Sequence, residues 1–487
     1  MYIGIDLGTS GVKAILVNSK GEIINEATKS YSLNVLKPLW REQNPEDWYN
    51  ATIQVLLKVV KGNEDNIKAL SFSGQMHGLV ILDKNDDVIR PAILWNDQRA
   101  DKEVEYLNNT IGKEKLIEET GNIAFAGFTL PKLMWVRENE PENFKKINKI
   151  MLPKDYLIYR FTNEFVSDVS DLSGTLYFDV KKRTYSDYIL NMSGIDINQL
   201  PKILESSEVV GYLSQQIAES LKLSKQVKVI VGGGDQAVGA IGTGIVNNGD
   251  VNVSLGTSGV VFVSSDKFFA DDKTYLHSFA HANNKYHLMG VTLAAAGSLD
   301  WWKNNFYPNN NFEDIVNEAA NTKIDDTVYY LPYLSGERSP INDSYAKGTF
   351  VGFSLEHSSA NFSRAILEGV TYSLKQSFDA IADLGFRVDR IRLTGGGAKN
   401  DFWCQMISDV FKVVVETIEA QEGPAFGAAI LAMVGNDEYQ TVEEACQKLI
   451  KTEKFFNPND ENSVIYSKKY KNYVKLYQRL KTFFKEI

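Results

Sequence analysis

The sequence contains one glycine- and hydroxyl-rich segment twice. Leu7-Gly8-Thr9-Ser10-Gly11-Val12 recurs letter for letter as Leu255-Gly256-Thr257-Ser258-Gly259-Val260. Glycine permits positive φ and close backbone approach, so successive N–H groups in such a turn can converge on an anion, and hydroxyls add donors. An ordinary tight hairpin turn is the alternative for either copy alone. The repeat predicts phosphate-binding residues at Gly8, Thr9, Ser10, Gly256, Thr257 and Ser258.

A separate glycine run carries an acidic residue. Gly232-Gly233-Gly234-Asp235-Gln236 follows the apolar run Val227 to Val231, which places Asp235 at the end of a predicted strand. A carboxylate there could accept the proton of a hydroxyl that attacks phosphorus, the general-base role in phosphoryl transfer. A helix N-cap is the commoner role for an aspartate in such a position.

Asp6 lies at the mouth of the first glycine-rich turn. A carboxylate beside a polyphosphate is repelled unless a cation intervenes, and Mg²⁺ binds through one or two carboxylates together with phosphates and waters. We therefore predict Asp6 as a catalytic and metal-binding residue, with Asp235 as a second metal ligand. Lys13, on the return strand, either reaches the phosphates or points to solvent, and the sequence favours neither alternative.

Two further segments combine glycine with polar or soft side chains. Gly395 to Asn400 follows a predicted strand and matches neither the Walker phosphate loop nor the dinucleotide fingerprint. Such a turn can lie flat against an adenosine, which makes Gly396, Gly397 and Asn400 candidate nucleotide-binding residues. Gln75-Met76-His77-Gly78 offers an apolar face and a hydrogen-bonding ring, a pairing that suits a polyol.

The elements that position these residues alternate between strands and helices, which favours α/β layers. Each copy of the repeat lies between two alternating apolar runs and is predicted to form a β-hairpin. Three-to-four spacing of apolar residues predicts a helix from about Asn361 to Leu384, and another begins near Pro424. Other predicted strands are Ala69 to Ser73, Leu79 to Asp83, Val227 to Val231, Val328 to Pro332, Arg390 to Leu393 and Val413 to Thr417.

The duplication predicts two domains, residues 1–244 and 245–487, with a nucleotide in the cleft between them. A length of 487 residues is itself too great for one hydrophobic core. Glycines and asparagines between Gly242 and Gly249 read as the connector.

Composition narrows the class of protein. A formal charge of -10, with basic residues interspersed among acids, disfavours a nucleic-acid partner. Cys404 and Cys446 lack the spacing of a zinc site and are predicted to be buried thiols. The start of the chain does not read as a signal peptide and no long apolar run occurs, so we expect a cytoplasmic protein without a membrane partner.

These motifs together resemble the FGGY carbohydrate-kinase family, within the actin-like ATPase superfamily, over nearly the full length. Asp6 to Ser10 is similar to the family's first phosphate motif, Leu255 to Ser258 to its second, and Gly395 to Asn400 to its adenosine motif. Gly127 to Asn139 fits the N-terminal signature, and Gly348 to Glu368 resembles the C-terminal one, with Phe353 where an aliphatic residue is usual. The resemblance implies two duplicated ribonuclease-H-like α/β domains and the use of ATP with Mg²⁺.

Ser73 to Gly78 is similar to the xylulokinases within that family. The resemblance then implies that Met76 and His77 contact a ketose, that Asp235 is the general base, and that Gln236 lies in the substrate site. The expected reaction is ATP-dependent phosphorylation of D-xylulose to D-xylulose 5-phosphate. Gln236 stands where xylulokinases often have asparagine, which keeps L-ribulose, glycerol and gluconate as alternative substrates. A non-kinase actin-like ATPase is a further alternative, and the family includes monomers and homodimers.

Overall fold

The computed structural model describes residues 1–271, 273, 275–324, 327–419 and 423–487. Most of the strands belong to two large mixed sheets, and only these strands are numbered below. In chain order they are β1 (Tyr2–Leu7), β2 (Gly11–Val17), β3 (Ile23–Ser30), β4 (Ala69–Gly74), β5 (Val209–Tyr212), β6 (Lys228–Gly234), β7 (Val251–Leu255), β8 (Gly259–Ser265), β9 (His277–Ala280), β10 (Tyr286–Thr292), β11 (Arg390–Thr394), β12 (Val414–Ile418) and β13 (Thr452–Phe456).

Helices cover the sheets and connect their strands. In chain order they are α1 (Pro45–Val59), α2 (Asp101–Glu105), α3 (Lys113–Thr120), α4 (Thr129–Asn139), α5 (Pro141–Phe144), α6 (Pro153–Thr162), α7 (Val169–Leu172), α8 (Asp187–Ser193), α9 (Gln215–Leu221), α10 (Asp235–Gly242), α11 (Ala296–Phe306), α12 (Phe312–Ala320), α13 (Ser359–Asp383), α14 (Asp401–Phe411), α15 (Gly423–Gly435), α16 (Val442–Leu449) and α17 (Asp460–Leu480). Short strand pairs join Glu42–Gln43 to Ala92–Ile93, Val80–Leu82 to Lys149–Met151, Val166–Asp168 to Lys202–Leu204, Phe178–Asp179 to Thr184–Tyr185, and Tyr329–Leu331 to Thr349–Val351. Among the described helices, none is long and apolar enough to cross a lipid bilayer.

The two large sheets share one topology. The first has the order β5-β6-β4-β1-β2-β3, in which β1 runs antiparallel to β2 and parallel to β4. The second has the order β9-β10-β8-β7-β11-β12-β13, in which β7 likewise runs antiparallel to β8 and parallel to β11. Apart from β9 at its edge, the second sheet repeats the first strand for strand, which confirms the predicted duplicated α/β fold.

The halves meet through two helices that follow equivalent strands. Helix α10 continues from β6 and α15 follows β12, and the two helices pack closely against each other. A Cβ added at Gly242 would lie 1.8 Å from the carbonyl oxygen of Gly423, and one at Gly427 would lie 1.9 Å from that of Val238. Only glycine permits this backbone-to-backbone contact.

Apolar side chains from the inner faces of both sheets form separate cores. Ile3, Ile5 and Leu7 of β1 are fully buried in the first, and Val251, Val253 and Leu255 of β7 occupy the equivalent positions in the second. Buried apolar residues alternate along both strands. Each copy of the repeat begins at the last residue of such a strand, Leu7 in β1 and Leu255 in β7.

Most predicted elements occur with small shifts at their ends. Helix α13 spans Ser359–Asp383, close to the prediction, and Gly385 after it has a φ of 91°. The predicted strand Val227 to Val231 differs most, since β6 continues through the glycines to Gly234. Both cysteines are buried and free, as predicted.

Candidate active site

Asp235 is the first residue of α10, directly after β6. Gly232 allows the strand to continue to this point, because its φ is 70° and a Cβ there would lie 1.8 Å from the carbonyl oxygen of Phe72. The N-cap of α10 is Gly234, without a side-chain capping bond. Asp235 therefore does not cap the helix, which removes the commoner of the two roles considered for it.

The electrostatic surroundings of Asp235 suit a proton acceptor. Burial, followed by the negative charge of Asp6, raises the pKa of Asp235 to about 7, from 3.8. Asp6 lies at the end of β1 and accepts a hydrogen bond of 3.0 Å from the Ser73 hydroxyl. The two predicted carboxylates thus lie close enough to influence each other, and a carboxyl group with a pKa near 7 is matched to general-base work at neutral pH.

A buried polar network holds the backbone immediately before Asp235. The Ser170 hydroxyl accepts a 3.1 Å hydrogen bond from the Gly234 N–H and donates one of 2.5 Å to the Asp168 carboxylate. Asp168 in turn lies 2.9 Å from the ammonium of Lys154, and both side chains are fully buried. The position of Asp235 is therefore fixed by a chain of charged and hydroxyl groups behind it.

Met76 and His77 lie in the turn after β4, near Asp235. Met76 is buried, and a Cβ on Gly234 would lie 2.8 Å from its Cγ. The His77 ring stacks on Phe128, with centroids 4.8 Å apart. The structure therefore brings both predicted sugar-binding residues to the same end of the site as Asp235.

His77 is neutral, and its tautomer follows from its partner. Burial, followed by the charge of Lys132, holds the pKa of His77 well below 6.5. Its Nδ1 lies 2.8 Å from the carbonyl oxygen of Gly174, and a carbonyl can only accept, so Nδ1 carries the proton. Nε2 is left with a lone pair that can accept a hydrogen bond from a hydroxyl.

The first glycine-rich turn, Gly8 to Gly11, is hydrogen-bonded to Gln75 in the turn after β4. The Thr9 hydroxyl accepts a 2.9 Å hydrogen bond from Trp95 Nε1 and donates one of 3.1 Å to Gln75 Oε1. The Gly8 N–H closes the hairpin on the carbonyl of Gly11 at 3.0 Å. These two groups have partners within the fold, whereas Ser10 is exposed at the tip of the turn.

The second glycine-rich turn, Gly256 to Gly259, is held by backbone hydrogen bonds from the start of α11. The carbonyl oxygen of Thr257 accepts from the N–H groups of Ala295 and Gly297 at 2.8 and 3.1 Å, and that of Gly256 accepts from Ala296 at 2.9 Å. The start of α11 thus fixes the turn, while the Thr257 side chain stays exposed.

A cavity of about 730 Å³ lies between the halves, within the range of ligand pockets. Asp235 and Gln236 contribute to one wall, and Gly395 and Gly396 contribute to the other. A Cβ on Gly396 would meet no atom within 4 Å, so this backbone faces open space and leaves room for a flat ring system. Ser254 and Val260, which flank the second glycine-rich turn, also line the cavity.

Three predicted nucleotide-binding residues have structural partners. Gly397 is buried against Leu255, where a Cβ would lie 2.8 Å from the Leu255 side chain. The Asn400 side chain caps α14 by accepting from the Trp403 N–H at 3.1 Å. Lys13 forms a 3.0 Å ion pair with Glu26 on β3. Their contact with a nucleotide stays a prediction.

Sequence reasoning assigned no role to several residues that this geometry brings to the site. Trp95 bonds to Thr9, Ser170 bonds to Gly234 and Arg338 lies beside Gly127, and each of these pairs is far apart in the sequence. The one feature of the sequence that could have indicated these residues is their position in polar loops, where binding residues are often found.

Family models match both halves of the chain. The FGGY family of carbohydrate kinases, N-terminal domain, matches residues 1–242, and the C-terminal domain of the same family matches residues 251–435. The chain belongs to the FGGY family of carbohydrate kinases. As a member of this family it is an ATP-using carbohydrate kinase, and the paired phosphate turns and intervening cavity accord with that activity.

Individual FGGY kinases are similar over the whole length. The xylulose kinase of Bacillus subtilis (strain 168) is 41% identical over 490 residues, covering 100% of this chain and 97% of that protein. The structure of ligand-bound xylulose kinase from Lactobacillus acidophilus matches with a TM-score of 0.95 at 26% identity, over 100% of this chain and 99% of the other. Gluconate kinase from the same organism matches with the same TM-score and identity, over 98% of each chain. Similarity of the fold alone therefore does not distinguish between sugars.

Proposed function

We propose that this FGGY kinase transfers the γ-phosphoryl group of ATP to D-xylulose and forms D-xylulose 5-phosphate and ADP. The observation that carries the proposal is the position of Asp235, which lines the cavity between the halves and directly follows Gly234, the residue packed against the Met76 side chain. The full-length identity of 41% to a xylulose kinase supports the choice of sugar.

In the proposed reaction, Asp235 accepts the proton of the sugar hydroxyl as that oxygen attacks the γ-phosphorus. A new O–P bond forms, the bond between the γ-phosphorus and the bridging oxygen breaks, and the electron pair leaves with ADP. The raised pKa of Asp235 lets the carboxylate take the proton near neutral pH, and Ser170 holds the adjacent backbone in place. Catalysis here is mainly positioning and charge stabilisation.

The sugar lies, in this proposal, between the turn after β4 and the N-terminus of α10. Nε2 of His77 accepts a hydrogen bond from one hydroxyl, Met76 packs against the carbon chain, and Gln236 offers an amide near Asp235. The Gln236 Nε2 lies 3.5 Å from the Asp235 carboxylate, a distance at which it remains available to a ligand.

The phosphates lie between the two glycine-rich turns, with the adenosine against Gly396. Exposed Ser10 and Thr257 are the hydroxyl donors proposed for the phosphate oxygens. Gly8 and Gly256 keep the turns tight enough to approach the chain of phosphates, and Thr9 fixes the first turn through Trp95 and Gln75.

The chemistry of the two neighbouring carboxylates fits Mg²⁺. Asp6 and Asp235 would provide oxygen ligands, and the described residues contain no group of three or more His, Cys, Asp or Glu side chains arranged to hold a metal ion. A two-carboxylate site suits Mg²⁺, which takes its other ligands from water and phosphate oxygens. When bound, the ion would neutralise charge on the phosphates.

The test is an assay of ADP release with a panel of D-xylulose, L-ribulose, glycerol and gluconate. We expect D-xylulose to give the highest kcat/KM, with the product identified as the 5-phosphate by nuclear magnetic resonance. A higher kcat/KM for another substrate would contradict the choice of sugar. A rate of ATP consumption that is indifferent to all four would favour a non-kinase ATPase.

Two further expectations remain predictions. Homodimer formation is tested by size-exclusion chromatography with light scattering, and a cytoplasmic location by fractionation of cells that express the protein. Neither is required for the proposed reaction, since the described site is built from one chain.

A further inference from the structure

Arg338 reaches from the second half of the chain to the sugar end of the candidate site. It follows the strand Tyr329–Leu331 in a loop, and its Nη2 lies 3.4 Å from the position that a Cβ on Gly127 would occupy. Its guanidinium carbon lies 5.9 Å from the centroid of the Phe125 ring. Gly127 and Phe125 belong to the first half, so this side chain spans the cleft.

An aromatic wall connects Arg338 to the predicted sugar-binding histidine. The rings of Phe125 and Phe128 have centroids 5.5 Å apart, and Phe128 stacks on His77 at 4.8 Å. Burial and Lys132 are the main causes of the lowered pKa of His77, and the positive charge of Arg338 contributes in the same direction. The guanidinium therefore lies on the His77 side of the site.

The base of the Arg338 side chain is rigid. The neighbouring Glu337 carboxylate accepts hydrogen bonds from the Thr292 hydroxyl at 2.5 Å, from the Leu293 N–H at 2.9 Å and from the Arg338 N–H at 2.8 Å. The Ser339 N–H donates to the carbonyl of Val291 at 2.9 Å. Strand β10 thus holds this loop, and the guanidinium projects from a fixed backbone.

The Arg338 guanidinium has no hydrogen-bond or ion-pair partner among the described residues, and its nitrogens are not sealed from solvent. Arg99, a buried arginine of the first half, differs, since it pairs with Asp97 at 2.7 Å and with Glu42 at 2.6 Å. A guanidinium has five donors, and on a half-buried side chain without a protein partner it is suited to a ligand that offers oxygen acceptors.

We propose that Arg338 contacts the sugar substrate, donating hydrogen bonds to oxygen atoms of the ketose that His77 binds from the opposite half. This inference rests on the proposed function and adds a sugar contact from the second half. Because the contact joins the two halves, sugar binding would favour their closure over the substrate.

The test is steady-state kinetics of Arg338→Met, which keeps the aliphatic stem and removes the donors. Loss of hydrogen bonds from a charged donor raises the KM for D-xylulose roughly 10- to 100-fold, while the KM for ATP changes less than about threefold. Arg338→Lys keeps the charge without the planar fork and gives an intermediate increase. Arg387→Met is the control, because Arg387 is 89% exposed and pairs only with Asp389 among the described residues.

Chemical rescue separates contact from structural support. In Arg338→Ala, added guanidinium ion at millimolar concentration should lower the KM for D-xylulose again, whereas sodium ion should not. An unchanged KM for D-xylulose in Arg338→Met overturns the inference, and so does a fall in kcat with unchanged KM values, which would place Arg338 on the phosphoryl group. Should Arg338→Met not fold, an Arg338→Lys variant with a wild-type KM for D-xylulose overturns it.

The kinetics distinguish a wrong substrate from a wrong role for Arg338. If the wild-type protein prefers another substrate, the ADP-release panel shows it before any variant is made, and the same kinetics are then run with that substrate. If the wild-type protein prefers D-xylulose and only the Arg338 result is negative, the inference alone is wrong.

Discussion

At the scale of single residues, the Asp235 carboxyl group lines the cavity between the halves in an environment that disfavours its charged form. Burial and the negative charge of Asp6 both disfavour the ionised carboxylate, and together they raise the pKa of Asp235 to about 7. Residues held in this way are a cost to the ligand-free fold and are expected at functional sites.

Asp235→Asn is therefore expected to stabilise the ligand-free protein at alkaline pH. The folded-state pKa lies above the unfolded value, so the wild-type protein loses stability as pH rises from about 4 to about 7, by up to about 4 kcal/mol. The asparagine variant lacks this loss and should unfold at higher temperature at pH 8, with the difference greatly reduced at pH 5. Thermal unfolding without nucleotide or metal measures it.

Asp187→Asn serves as the matched control, because Asp187 is also the first residue of a helix but is exposed. An Asp235→Asn variant that is no more stable than wild type at pH 8 would contradict the pKa assigned here.

Gly174→Ala tests the placement of His77. An alanine Cβ would lie 2.2 Å from Nδ1 and 2.3 Å from Cε1 of the His77 ring, so the ring must move. We expect the KM for D-xylulose to rise roughly 10- to 100-fold with little change in the KM for ATP. Steady-state kinetics checks this against Gly211→Ala, where no atom lies within 4 Å of the added Cβ. Equal sugar KM values in the two variants would remove His77 from the sugar site.

At the scale of elements, the crossing of α10 and α15 is the tightest contact between the halves. Gly242→Ala would place a Cβ 1.8 Å from the carbonyl oxygen of Gly423. A Cβ and a backbone carbonyl cannot rotate away from each other as two flexible side chains can, so the helices themselves must move apart. Overpacking of this kind costs about 1–3 kcal/mol or more of unfolding free energy. Denaturant unfolding should show the loss.

Gly239→Ala on the same helix is the control for this prediction. Its added Cβ would lie 3.5 Å from Pro424 Cγ, an ordinary contact, and alanine favours helix more than glycine does. Equal stabilities of the Gly242 and Gly239 variants would show that the helices do not pack as described.

Helices and strands were predicted well because the spacing of apolar residues within a short segment is enough to indicate each of them. Alternation around the two repeats predicted the hairpins β1–β2 and β7–β8, and three-to-four spacing predicted α13 within two residues at its start. The continuation of β6 through Gly232 to Gly234 was not predicted, since glycine usually marks a turn, and here close packing on Phe72 keeps the backbone extended.

The contacts that hold the site residues in place were not predictable from local patterns. Ser170 bonds to the N–H of Gly234, and Arg338 lies beside Gly127, across long sequence separations. Such contacts depend on how the sheets and helices pack, and no spacing rule reports them. The positions of Asp235 and of the two glycine-rich turns at strand ends were predictable, because glycine runs after apolar runs are a local signal.

At the scale of the whole molecule, duplication places one glycine-rich turn in each half, and a cavity of about 730 Å³ lies between the halves. Asp235 and Gly396 face this cavity from opposite halves, and Arg338 of the second half lies beside Gly127 of the first. Under the proposed function, closure of the halves would bring sugar, nucleotide and Asp235 together and would exclude water from the reacting groups.

The most direct test of Asp235 as the general base is transfer of the γ-phosphoryl group from radiolabelled ATP to D-xylulose in a single turnover, with wild type and Asp235→Asn compared at equal nucleotide occupancy. We expect rapid transfer by wild type and a rate lower by roughly 10²- to 10⁴-fold in the variant, with ATP still bound. Near-normal transfer by Asp235→Asn would show that Asp235 is not the general base.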